Sequence, residues 1–255
     1  MKSPENTAAS GNPFDPQPVV ADGGFEVRTG KRALMVAPGV PLRVPSLTLA
    51  QALADEWRAA GAQARMKDLT LARMSIAAVE AHQDRMPMHQ SVLGYASTDL
   101  VCYWSSESEP KPLRDAQAAA WQPLLDWLTE THGVRLRPVF GVAPVEQDRS
   151  ELAGLEQVIS GFAPHELVAL RFGTAASGSL VIGLALCAGA WAPDAAYAAA
   201  TVDEAFQMER WGRDAEAEEA LAARRADLAT AARFLALWRG DRKSTRLNSS
   251  HVKRS

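Results

Sequence analysis

The sequence predicts an α+β protein, with a small antiparallel β-containing N-terminal domain followed by an all-helical C-terminal domain. Three observations carry that expectation. Short Val- and Leu-rich runs punctuated by Thr29-Gly30 and Pro38-Gly39 lie within residues 24–46. An Ala-rich background with apolar residues at helical spacing fills the second half. Beyond Ser150 no stretch combines strand composition with turn punctuation.

In chain order, residues 1–22 are polar and Pro-rich, with neither the apolar core of a signal peptide nor the Arg-rich pattern of a transit peptide, and are expected to be a disordered lead-in. A mixed domain over 23–149 begins with "GFEVRTGKRALMVAPGVPLRVPS", which reads as two or three antiparallel strands. Ser46 then precedes Leu49, Leu53 and Trp57, spaced by four and sharing a face with Ala50 and Ala54, and Gly61 follows the last turn. That is an N-capped, Gly-terminated helix with Trp57 as a structural residue on its buried stripe. Further helices are expected over 68–82 and 88–97, and "DLVCYW", Asp99 to Trp104, returns to strand character. Apolar positions at Leu113, Ala116, Ala120, Trp121, Leu124 and Leu128 trace one helical face, which makes Trp121 a second structural tryptophan. Pro123 should kink or restart this helix and Gly133 should end it. "GVRLRPVFG", Gly133 to Gly141, is the last strand candidate, and residues 150–240 read as four or five helices.

No charge occurs between Arg171 and Asp194, a length that would cross a bilayer. Gly173, Gly178, Gly183, Gly189 and Pro193 interrupt it, and its strongly apolar part runs only from Ser179 to Ala190. A segment of ~10 to 14 such residues is a buried core helix rather than a stable membrane insertion.

The formal net charge of −3 understates the acidity. Residues 241–255, "DRKSTRLNSSHVKRS", lack apolar periodicity, and Asp241 to His251 reads as one frame of a common short-read sequencing adapter, so they are set aside as an artefact. Without them 22 basic face 29 acidic residues, a balance of −7 that gives no reason to expect nucleic acid as a partner. Cys102 and Cys187 sit far apart in apolar runs and read as reduced core residues.

Enzyme signatures are absent: no Walker-type loop, no G-x-G-x-x-G after a strand, no H-E-x-x-H and no G-x-S-x-G. "GTAASGSL", Gly173 to Leu180, has the small residues of a phosphate loop without its Lys, and reads as a closely packed helix start. The histidines His82, His89, His132 and His165 share no metal-ligand spacing and read as helix-end or surface residues. The densest chemistry is "TVDEAFQMERWGRDAEAEEALAARR", Thr201 to Arg225, whose carboxylates are Asp203, Glu204, Glu209, Asp214, Glu216, Glu218 and Glu219. No His stands between His165 and the tail to complete a di-metal carboxylate site, so neither a metal nor a cofactor is expected. One reading is the wet side of an amphipathic helix with Val202, Ala205, Phe206 and Trp211 facing inward and Glu209 paired with Arg213. A carboxylate-dependent hydrolase using Asp203 and Glu209, or a helical adaptor, are alternatives.

The wording of the segment adds information. "VDEAFQMERWGRDAEA", Val202 to Ala217, resembles the acidic-pair, aromatic-Gln, Trp-Gly-x-Asp-x-Glu-Ala run of the assembly chaperones that hold the α subunit of the F-type ATP synthase head. "VPSLTLAQALADEW", "YASTDLVCYW", "QAAAWQPLLDW" and "SGSLVIGLAL" match the same family in the same order. The resemblance departs from the family around Met66 to Glu80, where Lys67 and Asp68 replace an expected Pro. It implies a non-enzymatic chaperone that binds unassembled α subunit, shields its assembly interface and promotes head assembly. Such a protein would be a monomer of the bacterial cytoplasm, or of the mitochondrial matrix in a eukaryote. Carried over residue by residue, Asp203, Glu204, Gln207, Trp211, Gly212, Asp214 and Glu216 form the implied partner-binding set. Glu204 is the residue to test first, and Glu218 and Glu219 read as solvated helix.

Overall fold

Asp22-Gly23 makes the first turn of the fold. It joins β1 (Gln17–Ala21) to β2 (Gly24–Thr29), which pair antiparallel from Gln17↔Arg28 to Ala21↔Gly24. Gly23, at φ +78, supplies the left-handed conformation such a tight hairpin requires. Residues 17–21 are therefore strand, which corrects the disordered lead-in expected as far as residue 22. Pro18 is tolerated because β1 ends the sheet order and keeps one ladder side open. The computed structural model describes residues 14–141, 146–212 and 214–251, with side chains described as far as residue 240; residues 1–13 of the expected lead-in lie outside it.

β3 (Arg32–Ala33) pairs with the end of β2 and β6 (Arg43–Val44) with its start, while β4 (Met35–Ala37) and β5 (Val40–Pro41) form a separate ladder around Pro38-Gly39. α1 (Leu47–Ala60) follows, and the Ser46 hydroxyl accepts the Leu49 N–H at 3.1 Å as an N-cap. Leu49, Ala50, Leu53, Ala54 and Trp57 are all buried, so the stripe read from spacing is the core of this unit. Trp57 meets Phe14 edge-on at 5.6 Å and carries the Arg32 guanidinium over its ring. A 3-10 turn, Met66–Asp68, precedes α2 (Thr70–Gln83), and the Glu56 carboxylate accepts the Leu71 and Ala72 N–H groups at that helix start.

By contact the chain divides into Met1–Arg73 and Met74–Ser255, not between residues 149 and 150. The reason lies in which partners bury the apolar stripes. α3 (Met86–Leu93) packs on α5 (Arg149–Ser160) and α6 (Pro164–Ser177). α4 (Lys111–His132) packs on α7 (Leu180–Ala188), α8 (Pro193–Ala200) and α9 (Val202–Trp211). α10 (Ala215–His251) lies against α6, α7 and α8. Six helices thus follow residue 148 among the described residues, against four or five expected, because Thr201 separates α8 from α9. The backbone of residues 241–251 continues α10.

α4 runs through Pro123 without restarting. Pro123 and Ala119, whose carbonyl loses its i+4 donor, are both exposed, so water can satisfy the freed group. Gly133, at φ +70, ends the helix as expected. "DLVCYW" is mostly a 3-10 turn, Leu100–Cys102, because the Asp99 carboxylate accepts the Val101 N–H at 3.2 Å and draws the backbone into a local turn. Only β7 (Tyr103–Trp104) remains extended, and it pairs parallel with β8 (Val139–Phe140), all that is strand in the "GVRLRPVFG" candidate.

α7 is the apolar centre of the second unit. Leu180 through Cys187 are buried, and a Cβ on Gly183 would collide with the Thr174 hydroxyl, so glycine lets α6 and α7 approach closely. No helix among the described residues is long and apolar enough to cross a membrane. Cys102 and Cys187 are free and buried, and burial pushes both thiols up, Cys187 to about 12.

Candidate partner-binding site

The Thr201–Arg225 segment folds as α9, a Gly212 turn at φ +92, and the start of α10. Asp203 and Glu204 occupy the first turn of α9, where carboxylates complement the helix dipole. No residue of α9 is buried. Val202, Asp203 and Phe206 are half-buried and mark the stripe that meets α4. Trp211 lies about 180° around the helix from Val202, given ~100° per residue, and is 72% exposed. The inward-facing assignment of Trp211 and of the exposed Ala205 is thereby corrected.

Each side of α9 lines a groove. On the α4 side a cavity of about 580 Å³ is bordered by Tyr103, Trp104, Glu109, Gln117, Asp203 and Gln207. On the α10 side a cavity of about 340 Å³ is bordered by Glu204, Gln207, Met208, Trp211, Leu221 and Arg224. Gln207 is exposed and borders both.

The side chain of Gln117, 2% exposed, fixes the first groove. Its Oε1 accepts the Ser105 N–H at 2.7 Å, and its Nε2 donates to Asp203 Oδ1 at 2.7 Å, tying the strand end to α9. Burial holds the Asp203 carboxyl above its ordinary range; the Gln117 hydrogen bond opposes that and the nearby Glu204 charge adds to it. One helical turn from Gln117, Trp121 is 1% exposed and donates from Nε1 to the Ala199 carbonyl at 2.8 Å, which anchors the end of α8 just before α9 begins. Trp104 stands between, edge-on to Trp121 at 6.4 Å and to Phe140 at 6.0 Å.

In the second groove Glu204 is committed within the chain. Its Oε1 receives Arg224 Nη1 at 2.8 Å, and Arg224 also donates to the Ala200 carbonyl. Asp214 is the N-cap of α10, its Oδ2 accepting the Ala217 N–H at 3.1 Å, and Glu216 is exposed in the first turn. Of the seven residues singled out by sequence, five line the second groove: Glu204, Gln207, Trp211, Gly212 and Asp214. Asp203 faces the first, and Glu216 lines neither groove. Arg213 and its pairing with Glu209 lie outside the described residues.

The Asp203–Glu209 pair of the hydrolase alternative is not brought together on α9. Asp203 and Glu209 point about 120° apart around α9, and among the described residues no group of three or more His, Cys, Asp or Glu side chains could hold a metal ion. His89 is 4% exposed within α3, with Ser160 Oγ 3.3 Å from its Nε2, so it is a packed core histidine rather than a surface one.

Gln117, Glu109, Met208, Leu221 and Arg224 were not singled out by sequence. Gln117 alone carried a readable signal: it is a polar residue midway between Leu113 and Trp121 on an otherwise apolar helix face.

A family model described as the ATP12 chaperone protein matches residues 13–129. Atp12 from Paracoccus denitrificans is 34% identical over 89% of this chain and 97% of its own, with a TM-score of 0.80. The chain belongs to the ATP12 chaperone family. An aspartate-to-lysine variant of the P. denitrificans Atp12p is equally similar, at 34% identity and a TM-score of 0.79 over 89% and 96% of the two chains. Atu1473 from Agrobacterium tumefaciens is 32% identical over 88% of this chain and 83% of that one, with a TM-score of 0.77. ATP12 membership makes this a chaperone of ATP synthase assembly, in agreement with the family its ordered motifs resemble. The family model ends at residue 129, whereas the ATP12 structures extend the likeness over 89% of the chain.

Proposed function

We propose that this chaperone binds the unassembled α subunit of the F-type ATP synthase head through α9 and the start of α10, covers an assembly surface of that subunit, and releases it as the head forms. The observation that supports this most is the placement of Trp211: a large aromatic side chain, 72% exposed, beside an apolar wall of Met208 and Leu221 in a chain that belongs to a chaperone family. Aromatic residues that gain little by exposure are the usual anchors of protein interfaces. An orphan subunit exposes an apolar face that aggregates until its partner arrives, and shielding that face requires binding but no turnover. The protein therefore acts without catalysis or cofactor, as a monomer, in the compartment where the subunit is made, with no role for nucleic acid or membrane.

Glu204 serves this reading differently from a bare client contact. Its carboxylate bridges α9 to Arg224 of α10 at 2.8 Å along the border of the second groove. Co-expression with α subunit should raise soluble α and yield a complex that co-purifies. No complex and no gain in soluble α would overturn the proposal.

A further inference from the structure

Resting on that reading, we infer that the client lays one extended segment across α9, placing a Lys or Arg side chain in the first groove and an aliphatic or aromatic side chain in the second. Charge makes the two grooves unlike. Among the described residues the first is bordered by two carboxylates, Glu109 and Asp203, and by no cation. Glu109 is exposed, and Asp203 uses Oδ1 for Gln117, so both present acceptor oxygens to a cation. Tyr103 and Trp104 place aromatic side chains beside those acids, a setting that suits the long apolar stem of Lys or Arg as well as its charged head.

The second groove holds its own cation. Arg224 pairs with Glu204, while Asp214 accepts a backbone N–H at the start of α10. What remains open there is apolar, with Met208, Trp211 and Leu221 along the wall. A cation entering there would meet the Arg224 guanidinium, whereas an apolar side chain would cover the indole.

Gln207 joins the two. It is exposed on the crest between the grooves, and its amide can donate to and accept from a backbone that crosses there. A helix with its side chains is ~10 to 12 Å across, so the two anchoring side chains must stand about that far apart. At ~3.3 Å per residue an extended segment spans it with three or four residues. Because successive side chains of an extended segment point to opposite faces, the recognised feature is a basic residue followed or preceded, four positions away, by a large apolar one.

Photo-crosslinking with intact α subunit tests this. A crosslinking residue at Ser106 reports on the first groove and one at Ala217 on the second. Both should attach to one short stretch of α, with sites about three to five residues apart and a Lys or Arg nearer the Ser106 site. Glu109→Lys should weaken capture about tenfold, and Glu109→Gln should flatten its dependence on salt. Attachment to two separated stretches of α, or capture by Glu109→Lys as tight as wild type, would overturn the single-segment inference while leaving α-subunit binding in place. Crosslinks to a second copy of this chain, with a doubled mass in sedimentation, would assign the grooves to self-association. If wild type captures no α at all, both proposals fall together.

Discussion

α7 and α9 differ by one residue in length, and they put opposite demands on sequence. In α7 every residue from Leu180 to Cys187 is buried, whereas in α9 none is. α7 carries no charged residue, while α9 carries four in ten. Composition follows from this contrast: the first helix is selected for what it packs against, the second for what it shows to solvent. Variants that empty the packed side should therefore act through stability, and variants of α9 should act through binding.

The largest loss of stability is expected at Trp121, which supports both sides of the comparison. Trp121→Ala removes a 1% exposed indole and its hydrogen bond to the Ala199 carbonyl, and should cost about 3–5 kcal/mol in urea unfolding. Capture of α should then fail because α8 and α9 lose their seat. A variant that unfolds like wild type yet loses capture would break the division between packing and display.

Next is a pH effect at the start of α7. Asp99 is fully buried, and its Oδ2 accepts the Val181 N–H at 3.1 Å. Burial pushes its carboxyl up to about 6, against hydrogen bonds from Ser179 and from the backbone of Val181, Val101 and Leu180. Because the folded value lies above the ordinary 3.8, the contribution of this group is fully present below about pH 3.8 and is lost as pH rises through about 6. Asp99→Asn cannot ionise, so its melting temperature minus that of wild type should increase between pH 4 and 7. A difference that stays flat across this window would show that Asp99 does not titrate there.

Local signals made much of the fold legible. Ser46, the spacing of Leu49, Leu53 and Trp57, and Gly61 specify α1 without reference to anything distant. β1 was obscured because its Asp22-Gly23 turn follows a Pro-rich run, although that dipeptide between apolar residues is a strong hairpin signal. The parallel pairing of β7 with β8 joins residues separated by the whole of α4, which no local pattern encodes. The candidate site divides in the same way. Acid density and family wording pointed to α9, but its grooves are completed by Gln117, 86 positions from Asp203, and by Arg224 on another helix.

A smaller stability effect is expected at Glu204. The ion pair with Arg224 is partly exposed, at 39% and 35% for the two side chains, so breaking it should cost no more than about 1 kcal/mol. Glu204→Lys places two cations together and should open the second groove, weakening capture of α about tenfold or more. The reciprocal double variant, Glu204→Lys with Arg224→Glu, separates the two roles of the carboxylate. Recovery of capture assigns Glu204 to holding α9 on α10. Persistent loss in a double variant with wild-type melting assigns it to direct contact with the client.

The smallest stability change and the sharpest test of the comparison come from Trp211. Its side chain is 72% exposed, so truncation removes little buried area and leaves no cavity, and Trp211→Ala should melt within about 0.5 kcal/mol of wild type. If the indole anchors the client, the same change removes a surface that is covered only in the complex, and capture should fall by at least tenfold through faster dissociation. Trp211→Phe keeps an apolar ring and should recover most of that loss. Unchanged capture in Trp211→Ala would mean that an exposed tryptophan beside Met208 and Leu221 is not the contact made with the α subunit, and the display role of α9 would have to rest on the Asp203 side alone.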